Sequence, residues 1–276
     1  MAGFEALLYG LVQGVGEYLP ISSSAHLILL PRFLKTEDPG IAFDVFLHFG
    51  TLLATLAYFW REWASFLSVL TKNTPGAPPK PFLSRISDTS ASGISLLHLI
   101  VATFPALIIG GLAHKLIDQY FRSNVTIAAA LFVGGGLLVY FDRRVTRETD
   151  LNSLTIKGAF TIGLFQCLSL VSGFSRSGAT LIGGRFLGLN RSAAAKMSFL
   201  MSAPVTAAAI VFEFRHYKEL LHGSVGATGL LVGGFSAFFF GAIAIGGLMK
   251  LIKTRGFGVF FAYRAILAAV IIFVLD

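Results

Sequence analysis

The sequence predicts an all-α polytopic membrane protein, an inverted repeat of two halves, each a re-entrant helix–loop–helix followed by three transmembrane helices. Three observations carry this. Of 276 residues, 55% are hydrophobic and 13% charged, with a mean hydropathy of +0.76, whereas soluble domains carry about 25% charged residues. Apolar stretches long enough, or nearly so, to cross a hydrocarbon core recur along the chain. One polar motif occurs twice, 153 residues apart: Gly10-Leu11-Val12-Gln13 with Ser22-Ser23-Ser24, and Gly163-Leu164-Phe165-Gln166 with Ser175-Arg176-Ser177.

The first half opens with Phe4–Leu19, interrupted by Gln13 and Glu17 and stopped by Pro20. A serine run follows, then a second short apolar leg, Leu27–Leu34. Neither leg can span alone, so the chain is expected to enter and leave on one face, its irregular backbone lining a polar cavity. Spans are expected at Ile41–Trp60, Ser95–His114 and Asn124–Phe141. In the second half Lys157–Val171 and Ser177–Leu187 repeat the broken pattern, and spans are expected at Ala193–Phe212, Gly226–Leu251 and Gly256–Leu275. An odd number of spans per half turns the second copy upside down, so the two tips meet near the midplane. The chain is expected to form a single membrane domain over 1–276, with repeat halves at about 1–141 and 154–276.

Basic residues set the orientation. Arg61, Lys72, Lys80, Arg85, Arg143, Arg144, Arg147, Lys157, Arg191, Lys250, Lys253 and Arg255 fall on one side. Arg32, Lys35, Lys115, Arg122, Arg215 and Lys218 fall on the other. The excess marks the cytoplasmic face, which places both termini and the first hairpin outside. Trp60 and Trp63 are expected at the headgroup level, and Asn73–Gly93, rich in Pro, Ser and Gly, as a mobile cytoplasmic loop. The net charge of +8 does not indicate nucleic acid, because the basic residues lie between apolar spans rather than on one polar face. A lone cysteine, Cys167, rules out an intramolecular disulfide and argues against structural zinc. The first basic residue is Arg32, so a cleaved signal peptide is not indicated.

If helices begin near Ser22 and Ser175, their unpaired N–H groups and serine hydroxyls converge on the cavity as an anion site. Ser22, Ser175 and Ser177 are the expected phosphate contacts, with Thr180 one turn on. Arg176 adds a planar fork suited to two phosphate oxygens. Gln13 and Glu17, four apart, share a helix face; Ser22 and Ser23 share one with His26. A hydroxyl near an imidazole, an acid behind them and an arginine opposite are the parts of a phosphoryl-transfer site. The plainer alternatives are that Glu17 and Arg176 form a structural ion pair, and that isolated serines such as Ser169 and Ser198 only bond their own helix. Asp44 and His48, four apart at the start of the first span, are weaker candidates, with a plain interfacial position as the alternative.

These residues carry a resemblance. Gln13-Gly14-Val15-Gly16-Glu17 fits an (E/Q)xxxE motif, and the stretch from Ser172 to Thr180 closely resembles the PGxSRSxxT motif of the bacterial undecaprenyl-diphosphate phosphatases, the bacitracin-resistance family. Leu19-Pro20-Ile21-Ser22-Ser23-Ser24-Ala25-His26, Phe165-Gln166-Cys167-Leu168 and Ala262-Tyr263-Arg264 are also similar to it, and the likeness runs from about Phe4 to the C-terminus. It implies an inner-membrane hydrolase that converts undecaprenyl diphosphate to the monophosphate and inorganic phosphate, recycling the carrier for peptidoglycan. It also implies a divalent cation, Mg²⁺ or Ca²⁺, and bacitracin as a competitor for the substrate. A homodimer is compatible with it. By matching positions, Glu17, Ser23, His26, Ser175, Arg176 and Thr180 are the functional set; of these Glu17, Ser23, His26 and Arg176 are catalytic, and Glu17 with Gln13 face the metal. Either Ser23 attacks with His26 as its base, or His26 attacks or orients water. Two positions depart from the pattern: Gln13 takes the uncharged option, and Ser172 stands where proline is usual. An inverted-repeat transporter of an anionic or phospholipid-like substrate is the competing reading.

Overall fold

The computed structural model describes residues 1, 3–71, 81–91, 93–121, 123–213 and 225–274. Among these the chain is helical, with no strand longer than an isolated bridge between Thr149 and Leu189. The expected loop at Asn73–Gly93 falls partly outside the described residues, as do Lys72, Lys80, Arg122, Arg215, Lys218 and Leu275.

Helix α1 (Gly3–Tyr18) ends where Pro20 removes a backbone donor, and α2 (Ser23–Leu34) begins at the serine run. The second repeat does the same. α8 (Ile156–Gln166) tightens into a 3₁₀ turn at Cys167–Leu170, and α9 (Arg176–Phe186) starts at the matching serine. Ser22 and Ser175 are the N-caps, both at φ 73°; each hydroxyl accepts the amide three residues on, from Ala25 at 3.4 Å and Gly178 at 3.2 Å. Among the described residues only one other non-glycine, Lys35, has positive φ. Two unrelated loops would not share this strained cap; a repeated one does.

The remaining helices are α3 (Ile41–Tyr58), α4 (Trp60–Thr71), α5 (Phe82–Ser87), α6 (Leu96–Tyr120), α7 (Asn124–Arg144), α10 (Arg191–Glu213), α11 (Gly226–Leu251) and α12 (Gly258–Val274). α6, α7, α10 and α11 are long and apolar enough to cross a membrane. α3 meets that test only together with α4, from which it is bent by 76°, and α12 is a shorter apolar helix of 17 residues. The first expected span therefore stops at its tryptophans: Trp60 is exposed, with the Arg61 guanidinium 5.5 Å from its ring, and the chain turns there. The loop expected to be mobile is anchored where it is described. Arg85 Nη1 donates to Leu70 O at 2.6 Å, and the Ala91 amide to Ser65 Oγ at 2.9 Å.

Packing follows the repeat. α1 lies on α11 of the other half, and its counterpart α8 lies on α6; α3 pairs with its counterpart α10, and α7 with α12. Glycine at one repeated position permits both crossings. A Cβ on Gly10 would overlap the Gly233 carbonyl, and a Cβ on Gly163 would overlap that of Ala102. The halves are thus interlocked rather than side by side, which brings the two tips into contact.

One residue joins those tips. Arg264 of α12, fully buried, donates to Leu131 O at 2.7 Å and Ala130 O at 3.0 Å on α7. It also reaches Pro20 O at 3.2 Å in the first tip, and Gly173 O at 3.2 Å and Phe174 O at 3.0 Å in the second. Five carbonyls satisfy a guanidinium that has no ion pair among the described residues, and so both re-entrant turns are tied to one helix pair.

Candidate active site

The tips enclose a cavity of about 200 Å³ lined by Glu17, Ser22, Ser23, Ser24, His48, Ser169, Ser175 and Arg176, with Val205, Thr206 and Ala209 of α10. Glu17, near the end of α1, is 7% exposed. Its Oε1 accepts Arg176 Nη2 at 2.8 Å and Nε at 3.2 Å, while Oε2 accepts Ser23 Oγ at 3.2 Å and Gln13 Nε2 at 3.0 Å. Arg176 Nη1 is held by Ser198 O at 3.0 Å. A lone carboxylate or guanidinium at this depth would be costly; paired, the two neutralise each other and are aimed into one space.

The hydroxyls divide into two groups. Ser22, Ser23, Ser24 and Ser175 face the cavity. Ser177 and Thr180 do not line it: Ser177 Oγ donates to Leu19 O at 3.1 Å, binding one tip to the other, and Thr180 Oγ1 lies 2.6 Å from Ser198 Oγ. Both therefore support Arg176, through the tip contact and through the serine that holds its guanidinium.

His26 is not among the cavity-lining residues. Its Nδ1 lies 2.7 Å from Ser22 O, and because a carbonyl only accepts, that nitrogen carries the hydrogen; Nε2 then accepts from the Tyr263 hydroxyl at 2.6 Å. The rings stack at 7°. Ser23 thus has Glu17 as its partner, while His26 ties α2 to α12. His48, a weaker candidate from sequence, turns into the cavity rather than staying at the interface: Nδ1 is held 2.7 Å from Asp44 O, and Nε2 stands 3.6 Å from Glu17 Oε2. The signal was present, since His48 falls inside an expected span, where an ionisable group is functional by default. Arg264 carried the same signal inside the span expected at Gly256–Leu275, but its partners, backbone carbonyls in three separate segments, carried none.

Among the described residues no group of three or more His, Cys, Asp or Glu could hold a metal ion. Gln13 Oε1, however, is buried without a hydrogen-bond partner beside Glu17. A carboxylate and a free amide oxygen are hard donors of the kind Mg²⁺ or Ca²⁺ takes, and Mg²⁺ commonly completes its shell with substrate phosphates and water. These residues fit such a cation.

The family model described as Bacitracin resistance protein BacA matches residues 6–270. The chain belongs to the BacA family. It is 41% identical over 271 residues to a protein named undecaprenyl-diphosphatase from Gemmatimonas aurantiaca, covering 98% of this chain and 97% of that one. It is 38% identical over 262 residues to one of the same name from Geotalea daltonii, covering 95% and 94%, and 38% identical over 273 residues to one from Caldicellulosiruptor bescii, covering 99% and 97%. In this BacA-family chain the departure at Ser172 falls one residue before Gly173, whose φ of 98° makes the turn into the second tip. A Cβ on Gly173 would lie 2.5 Å from Ile127 O, so glycine, rather than the residue before it, shapes that turn.

Proposed function

We propose that this chain hydrolyses undecaprenyl diphosphate to undecaprenyl phosphate and inorganic phosphate, returning the lipid carrier to cell-wall synthesis. One observation supports it most: two inverted tips bring a carboxylate, a hydroxyl and a guanidinium together in one buried cavity, in a chain whose relatives carry that enzyme's name. The terminal phosphate sits between the tips. Arg176 releases part of its bond with Glu17 to hold phosphate oxygens and stabilises the charge that develops on them. Ser23 Oγ attacks the phosphorus, the bond to the bridging oxygen breaks, and that oxygen leaves with the lipid phosphate. Water then hydrolyses the phosphoserine. The proton of Ser23 has Glu17 Oε2 as its acceptor, with His48 Nε2 facing the same oxygen. His26 positions the start of α2 through Tyr263.

Glu17 and Gln13 would hold the divalent cation, which when bound neutralises the diphosphate and polarises its oxygens. An apolar cavity of about 290 Å³, lined in part by Leu107, Leu170 and Ala208, shares Ser169, Val205 and Ala209 with the polar one; it seats the isoprene units nearest the diphosphate. The basic asymmetry supports an inner-membrane protein with both termini on the periplasmic side. Competition by bacitracin for the lipid diphosphate and assembly as a homodimer are carried with that reading.

The test is phosphate release from undecaprenyl diphosphate by the purified chain in detergent, where no compartments exist for a transporter to work between. Release that stops with chelator supports the hydrolase. A folded chain that binds the lipid diphosphate and releases no phosphate overturns it in favour of the transporter.

A further inference from the structure

A third cavity, of about 520 Å³, opens where α7 ends, α10 begins and the turn between α11 and α12 passes. Along α10 it is 14 residues from Val205 of the catalytic cavity, about 21 Å at 1.5 Å per residue. The apolar spans Asn124–Arg144, Arg191–Phe212 and Gly226–Leu251 all end or begin at it, so it lies at headgroup level. Arg143, Arg191 and Arg255 surround it, with Leu251, Phe257 and Val259 forming an apolar wall.

The charges are unevenly matched. Asp142, 5% exposed, accepts Arg191 Nε and Nη2 at 2.8 Å each and pairs with Arg185 at 2.9 Å; Arg185 also reaches Glu148 at 2.8 Å. Two acids therefore balance two arginines. The guanidinium groups of Arg143 and Arg255, both exposed residues, have neither an ion pair nor a hydrogen bond among the described residues. Gly256 keeps the network tight beneath them: a Cβ there would stand 3.1 Å from Asp142 Oδ2 and 3.2 Å from Arg191 Nη2.

Two unmatched arginines above an apolar wall at headgroup depth suit a phosphate that arrives attached to acyl chains. We propose that this cavity binds the headgroup phosphate of an anionic phospholipid, with Arg143 and Arg255 as donors and Arg191, fixed by Asp142, as its floor. This reading is independent of the phosphatase assignment, since none of these residues lines the catalytic cavity.

The experiment is native mass spectrometry of the purified chain titrated with phosphatidylglycerol, phosphatidylcholine or inorganic phosphate, for wild type, R143Q/R255Q and R143K/R255K. Phosphatidylglycerol retention is expected to fall about thirtyfold in R143Q/R255Q, as two surface arginines near anionic lipid allow. It should be largely kept in R143K/R255K and be unaffected by inorganic phosphate. Catalytic turnover in detergent and thermal stability without lipid should match wild type in both variants. Equal retention by wild type and R143Q/R255Q, or wild-type retention of phosphatidylcholine as strong as of phosphatidylglycerol, overturns the proposal. Displacement by inorganic phosphate at comparable concentration overturns the lipid as the ligand. If R143Q/R255Q does not fold, R143Q and R255Q singly give the same comparison.

Discussion

Glu17 and Arg176, 159 residues apart and on opposite re-entrant tips, meet at 2.8 Å inside the membrane domain. The contact neutralises two charges that neither tip could bury alone, so each half of the repeat needs the other to fold its own turn.

That interdependence is measurable as stability. Removing one member strands the other, at about 3–5 kcal/mol, so Glu17→Gln and Arg176→Gln should each melt well below wild type in detergent. The double variant should melt above both. A double variant with the summed loss of the two singles would show that the charges are solvated separately.

Arg264 should matter as much without touching substrate. Arg264→Met strands carbonyls in both tips and in α7, each at about 1–3 kcal/mol, and the expected outcome is loss of monodisperse protein on size exclusion. Arg264→Lys, with three donors for five carbonyls, should be intermediate. Wild-type stability in Arg264→Met would remove the clip from the account.

Removal of divalent cations by chelator should stop phosphate release, and Mg²⁺ or Ca²⁺ should restore it. If the unpartnered Gln13 Oε1 faces that cation, Gln13→Leu should raise the cation concentration needed for half-maximal rate several-fold while kcat at saturating cation changes little. Full activity in chelator would exclude the cation from the reaction.

Orientation is tested by labelling in a Cys167→Ser background. Cysteine at Ser87, the last residue of α5, should resist a membrane-impermeant thiol reagent in intact cells, and cysteine at Ser123, the cap of α7, should react. The opposite pattern would invert the topology and leave the chemistry untouched.

Much of this was legible because it is local or repeated. Helix starts at Ser22 and Ser175 follow from capping chemistry, the broken legs from Pro20 and the polar interruptions, and the meeting of the tips from an odd number of spans per half. The break after Tyr58 was signalled by Trp60 and Trp63 and by the charged pair Arg61-Glu62 between them, but the direction of the chain beyond it was not. The partners of each side chain were not legible. Helical spacing places His26 on the face of Ser22 and Ser23, but Tyr263 comes from α12, 237 residues on, and takes the imidazole. His48 reaches Glu17 because α3 packs beside α1, a tertiary fact that no spacing encodes.

The central claim is that Arg176, from the second tip, stabilises the transition state assembled on Glu17 and Ser23 of the first. The most direct measurement is the steady-state kinetics of Arg176→Lys on undecaprenyl diphosphate, because lysine keeps the charge and loses the fork. The account predicts a fall in kcat of about a hundredfold, the scale of one lost oxyanion donor, with KM little changed. A near-normal kcat with only a raised KM would contradict it.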